Sequence, residues 1–124
     1  MDVAITGGSG RLGTYVVDYF TGSHNVTVVD LEPPKQQNVR FVEASILDYK
    51  ALKQVFRSHE AVVHLAAIPN PRTAPPDVTF NTNVQGTWNV LEAAENVGVR
   101  RVAIASSDAS TGLHYNHEGW GPQY

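Results

Sequence analysis

The sequence predicts an α/β fold, a doubly wound parallel sheet of five strands in the order 3-2-1-4-5. Three observations predict it. Short apolar runs alternate with segments whose apolar residues recur at helical spacing. A glycine-rich run, Thr6-Gly7-Gly8-Ser9-Gly10-Arg11-Leu12-Gly13, joins the first apolar run to the first helical segment. The second apolar run, Val26-Thr27-Val28-Val29, ends on the acidic Asp30.

The elements follow in order. Residues 2–6 form the first strand, and residues 11–21 a helix with Leu12, Val16, Val17 and Phe20 on one face. Gly22 ends that helix. Residues 25–30 are nearly continuously apolar, as a strand buried on both faces should be. Pro33-Pro34 make 32–38 a loop, and 39–42 a short third strand. Asp48 suits the N-cap of a helix over 49–58, with Leu52, Val55 and Phe56 inward. Residues 61–66 are the fourth strand, and the four prolines in 68–76 make that stretch irregular. A long helix begins at Asp77 or Thr79 and runs to Asn96, with Val84, Trp88, Leu91 and Ala94 as its buried stripe. Gly98 terminates it, residues 101–105 form the fifth strand, and Ser106 onward is loop-like. Right-handed crossovers then place the crevice between the first and fourth strands.

Length and composition narrow the function. At 124 residues the chain reads as one domain over 1–124, able to bury roughly two-thirds of its unfolded surface. A net charge of −3 with no basic block argues against nucleic acid as a partner. The apolar runs are too short to span a membrane. The absence of cysteine excludes disulfides and thiolate metal sites and suits the cytoplasm, the expected location.

Strand, glycine turn, helix, strand and acid is the layout of a dinucleotide-binding Rossmann unit. Gly7 permits a sharp turn, Gly10 lets a pyrophosphate approach the backbone, and Gly13 lets the helix pack closely. The helix start offers N–H groups and a positive dipole end to phosphates. Asp30 is placed to accept hydrogen bonds from ribose hydroxyls and would repel a 2′-phosphate. With Leu31 and Glu32 after it and no arginine to compensate, NAD is favoured over NADP. The glycines fit two registers, from Gly8 or from Gly7.

With these residues in hand, the chain resembles the extended short-chain dehydrogenase/reductases, specifically the NAD-dependent epimerase/dehydratase family. Residues 6–13 look like that family's TGxxGxxG, His64-Leu-Ala-Ala67 like its HxAA strand end, Asn83-Val-Gln-Gly-Thr87 like its NVxGT helix motif, and Ala105-Ser-Ser107 like its serine-bearing strand end. The resemblance implies that Gly7, Gly10 and Gly13 line the pyrophosphate with the amides of Arg11 and Leu12. It places Asp30 at the adenosine ribose and Ser45 and Ile46 at the adenine. Leu65, Ala66 and Ala67 would contact the middle of the cofactor, Asn83 would position helix and cofactor, and Ser106 would stand beside Ser107, the catalytic hydroxyl. It implies hydride transfer between a sugar carbinol and the nicotinamide of NAD, a sugar or nucleotide-sugar substrate, and a homodimer built through helices as the candidate assembly.

Two departures qualify it. Ser45 stands where the family usually has Asp. The family's Tyr-x-x-x-Lys, the general base and its partner, lies a couple of dozen residues beyond the serine, whereas no lysine follows Lys53 here. The one match to that spacing, Tyr49 to Lys53, falls on the second helix and reads as a surface pair. The expectation is therefore a cofactor-binding half, lacking the C-terminal substrate lobe, that holds NAD without turnover. The alternative is a non-catalytic NAD-binding sensor or scaffold module. Among the remaining residues, His64 reads as a strand-end histidine with a satisfied ring and Trp88 as core. His114, His117 and Glu118 form no metal set, Tyr115, Trp120 and Tyr124 could roof a pocket, and Asp108 has no assigned role.

Overall fold

The computed structural model describes residues 1–70 and 72–107. The chain runs β1 (Asp2–Thr6), α1 (Arg11–Thr21), β2 (Asn25–Asp30), β3 (Arg40–Glu43), α2 (Tyr49–Phe56), β4 (Ala61–His64), α3 (Pro76–Phe80), a π-helical turn (Asn81–Gln85), α4 (Gly86–Val97) and β5 (Arg101–Ile104). The five strands are parallel and lie in the order β3-β2-β1-β4-β5, as the sequence predicts.

Alternation along the strands builds two cores. Ala4, Val29 and Val62 point to the side covered by α2 and α4, where they pack with Ile46, Leu52, Phe56, Val90, Ala93 and Ala94. Val3, Ile5, Val26 and Val28 point the other way, onto Val17 of α1 with Val16 and Phe20 beside it. Leu52 and Phe56 are fully buried, each worth about 2–3 kcal/mol in surface removed from water. Asp48 caps α2 as expected, its Oδ1 accepting from Ala51 N at 3.0 Å.

The structure corrects several expectations. On α1, Leu12 faces solvent, and the buried face is Gly13 and Val17. Helix α2 stops at Phe56 rather than Ser58, because the His59 ring takes the Val55 carbonyl at 2.8 Å. Strand β4 stops at His64: Leu65 N makes a last bond to Thr6 O at 3.0 Å, and the chain then turns over the end of β1. Strand β3 shifts by a residue, to 40–43, and β5 ends one residue early, at Ile104.

The largest correction is the stripe on the long helix. Val84, Trp88 and Leu91 are 53%, 62% and 40% exposed, so Trp88 is not core. The inward face is Gly86, Asn89, Val90, Ala93 and Ala94. Both faces repeat at helical spacing within the regular α4, and the face of small residues, not the bulky one, is the one that packs inward. Small residues then bring α4 close: a side chain at Gly86 would collide with Ile46.

Candidate functional site

The register aligns Thr6 with Val29 and His64, and Asp30 with Glu43, so the carboxyl ends of the strands form one edge. Of the sequence-predicted site residues, Gly7, Gly10, Asp30, Ser45, Ile46, Leu65, Ala66, Ala67, Ser106 and Ser107 lie at the strand ends or in the loops that follow them, Arg11, Leu12 and Gly13 in the first turn of α1, and Asn83 in the π turn.

The glycine run is built by contact rather than by flexibility alone. Gly7 has φ +72° and donates to Val29 O at 3.0 Å, bridging β1 to β2. A Cβ there would lie 2.5 Å from Ala66 N. One at Gly8 would press on Val28, and one at Gly13 would collide with the Gly7 carbonyl. Both glycine registers are thus occupied because both are needed. Gly10 is exposed and meets only Gly7 O at 3.2 Å, leaving its outer face open. It is also the N-cap of α1, and no side chain caps that helix and no acid sits in its first turn. Arg11 and Leu12 are exposed there. An eleven-residue helix with a bare N-terminus and an open glycine before it is chemically an anion site.

Asp30, half-buried at the end of β2, ties this loop down. Its Oδ2 accepts from Ser9 N at 3.0 Å and its Oδ1 from Leu31 N at 2.7 Å. Ser9 Oγ donates to Glu32 O at 2.6 Å. Each carboxylate oxygen keeps lone-pair capacity for a further donor. The residues therefore suit a dinucleotide: donors for phosphate at the helix start, an acceptor for hydroxyls at Asp30.

Beyond β3, Ser45 Oγ accepts from Leu47 N at 3.1 Å and Asp48 N reaches Ser45 O at 2.9 Å, closing a tight turn. Ile46 within it is buried under Gly86. Asn89, also buried, donates to the Ile46 and Leu47 carbonyls at 3.1 and 3.3 Å and is held by Gln85 at 2.9 Å.

On the other side of β1, His64 is 3% exposed and both ring nitrogens are bonded. Nδ1 lies 2.6 Å from Thr6 Oγ1 and Nε2 lies 2.9 Å from Thr87 Oγ1. Burial holds its pKa below the ordinary imidazole value. Asn83, in the π turn, clasps one residue twice, accepting from Ile68 N at 2.8 Å and donating to Ile68 O at 3.0 Å. Leu65 and Ala66 are half-buried, and Ala67 is exposed. Ser106 and Ser107 follow β5 and are exposed.

The sequence reading missed Thr6, Ser9, Gly86, Thr87 and Asn89. Gly86 and Thr87 lie inside the NVxGT run, so the spacing marked them without saying why. Ser9 and Asn89 act through backbone partners far off in sequence, which no local pattern reveals. Tyr49 and Lys53 do pair along α2, the ammonium 5.9 Å from the ring centroid, but both are half-buried and Tyr49 packs against the core. Asp108, His114, Tyr115, His117, Glu118, Trp120 and Tyr124 lie outside the described residues. Among the described residues, no cluster of His, Cys, Asp or Glu could hold a metal ion, and no helix is long and apolar enough to cross a membrane.

Comparison with known proteins matches this geometry. The profile of the NAD dependent epimerase/dehydratase family covers residues 3–118. An L-arabinose 1-dehydrogenase (NAD(P)(+)) of Haloferax volcanii is 35% identical over 106 residues, 86% of this chain and 41% of the relative. A short-chain dehydrogenase/reductase superfamily protein from Agrobacterium tumefaciens, solved with bound NAD, superposes with a TM-score of 0.78 at 36% identity, over 86% of this chain and 33% of that one. The Thermotoga maritima UDP-glucose 4-epimerase, solved with UDP-glucose, gives 0.79 at 32% identity, over 86% of this chain and 38% of that one. The chain thus spans well under half the length of the relatives it matches.

Proposed function

We propose that this chain, which belongs to the NAD-dependent epimerase/dehydratase family, holds NAD along the carboxyl edge of its sheet. There it would serve as the cofactor half of an enzyme acting on a sugar or nucleotide-sugar. The observation that carries the reading is the bare start of α1, with Asp30 pinned beside it by Ser9.

Bound NAD would supply the hydride acceptor for a sugar carbinol. The chain's own residues bind and orient. Gly10 would leave room for the pyrophosphate, Gly7 and Gly13 would let the loop close tightly beneath it, and the Arg11 and Leu12 end of α1 would face it with a positive dipole. Asp30 would accept from the adenosine ribose and exclude a 2′-phosphate by like charge. The Ser45–Ile46 turn, fixed by Asn89, would receive the adenine. Leu65, Ala66 and Ala67 would wall the middle of the cofactor, with Asn83 holding that wall through Ile68. Ser107, with Ser106 beside it, would offer its hydroxyl to the reacting sugar oxygen. With no lysine after Lys53 to make the family's Tyr-x-x-x-Lys pair, the 124-residue chain would hold the cofactor without turnover.

Calorimetry tests this. NAD should bind more tightly than NADP, and Asp30→Ala should weaken NAD by about 1–3 kcal/mol, the scale of hydrogen bonds to a charged group. Sugars added to the NAD complex should produce no NADH. A preference for NADP, or steady NADH formation, would overturn the respective part.

The reading extends to a homodimer and to the cytoplasm. The exposed Phe80, Val84, Trp88 and Leu91 form an apolar face along α3 and α4 that a second copy could cover. Sedimentation as a monomer would argue against that assembly. The cysteine-free sequence suits a reducing compartment. A functional tagged copy found outside the cytoplasm would sink that location.

A further inference from the structure

The hydrogen bonds through His64 run in one direction only. Thr87 Oγ1 lies 2.7 Å from Asn83 O and donates to it. A hydroxyl has one hydrogen, so at His64 Nε2 the same oxygen must accept. Nε2 therefore carries the ring proton, and Nδ1 accepts from the Thr6 hydroxyl. The chain reads Thr6 to His64 to Thr87 to Asn83, with every donor used once.

This chain ties the paired ends of β1 and β4 to the start of α4 through side chains. Thr6 ends β1, His64 ends β4, Thr87 opens α4 and Asn83 sits in the π turn. Thr6 and His64 are buried, so an unmet partner on either would be expensive. The segment 65–68 leaves directly from His64 and is tied at both ends: Leu65 N bonds Thr6 O, and Ile68 is clasped by Asn83. Both ties belong to residues of the same chain of hydrogen bonds. Between them, Ala66 sits against Gly7 and walls the crevice between β1 and β4.

Sheet order says which part of a dinucleotide meets that wall. With adenosine over β2 and β3 and the pyrophosphate at the end of β1, the second nucleoside extends over β4. We propose that His64 is a positioning residue, acting through Thr87 and Asn83 to place the 65–68 wall against the nicotinamide half of the cofactor. It would leave the adenosine half untouched. The proposal rests on the reading above that the edge binds NAD.

The test separates the two halves of the ligand. NAD and ADP are titrated into wild type, Thr87→Val and Thr87→Ser. Thr87→Val keeps the shape and removes the hydroxyl, so it should weaken NAD about 5- to 30-fold, one to two hydrogen bonds' worth. ADP affinity should stay within about twofold, since only the wall has moved. Thr87→Ser should restore most of the NAD affinity. NMR of the wild-type imidazole nitrogens should show the neutral ring with its proton on Nε2. If NAD and ADP weaken together, if neither changes, or if the proton sits on Nδ1, the positioning role is wrong while NAD binding stands. If wild type binds neither ligand, the NAD reading itself fails and this inference with it.

Discussion

His59 and His64 flank the same four-residue strand, one before β4 and one at its end. Both are buried, and both have two bonded ring nitrogens. Their partners differ. His59 Nδ1 donates to Val55 O at 2.8 Å, so its Nε2 accepts from Thr27 Oγ1 at 2.9 Å. His64 holds the opposite tautomer between two threonines. The bonds of His59 run downward, from the last turn of α2 to β2, and fasten a helix to the sheet. Those of His64 run across the carboxyl edge and connect four elements around the crevice. The same side chain, equally satisfied, stabilises structure at one edge and orders a candidate site at the other.

A pair of glycines breaks the comparison most sharply. Gly13→Ala drives a methyl into the Gly7 carbonyl and the Gly8 backbone, with no soft side chain to yield. It should cost about 2–4 kcal/mol and abolish NAD binding. At the other end of the same helix, Gly22 is in the αR conformation, and a Cβ would find only Tyr19 O at 3.8 Å. Gly22→Ala should leave binding intact and change stability by under about 1 kcal/mol, in the stabilising direction. Urea unfolding and NAD titration of the two variants measure this. Equal losses would show that the carboxyl edge is no more constrained than the amino edge.

The histidine pair gives the next largest effect. His59→Gln should cost about 1–3 kcal/mol in urea unfolding, because Val55 O and Thr27 lose or strain their partner in a buried setting. NAD affinity of the folded variant should be unchanged. A loss of NAD affinity at constant fold would place His59 in the site and erase the distinction between the two edges.

The sequence made one half of this contrast legible. Strand order, the glycine run and Asp30 follow from short-range patterns that one physical rule each decodes, such as a glycine before an uncapped helix. His64 was legible as a satisfied strand-end ring, but its partners were not: Thr6 and Thr87 lie 58 and 23 positions away. His59 carries no local sign at all. The stripe on the long helix misled because size was read as burial. Gly86 and Asn89 face inward, Gly86 because Ile46 leaves no room for a Cβ, Asn89 because two loop carbonyls need donors. Trp88 is left outside. Which of two helically spaced faces turns inward is set by tertiary contact and is invisible to a 3.6-residue count.

Acid should act on His64 through stability, with a sign its surroundings dictate. Burial lowers its pKa below the ordinary value of about 6.5. Its neighbours at the ring are hydroxyls and carry no charge to reward a proton. A second proton would also make both nitrogens donors, turning the Thr6 hydroxyl from a matched donor into a clash until it rotates. The unfolded chain takes up that proton near pH 6.5; the folded chain resists until lower pH. Folding stability is thus fully present above pH 6.5 and falls as pH drops from there toward the lowered folded value, by at most about 1.4 kcal/mol per pH unit. Carboxylates contribute their own slope, which His64→Gln shares. Urea unfolding of wild type and His64→Gln at stepped pH should therefore give curves that run parallel above pH 6.5 and converge below it, as wild type loses its advantage. Curves parallel throughout would mean that His64 takes up its proton as readily folded as unfolded, and that its burial between the two threonines does not hold it neutral.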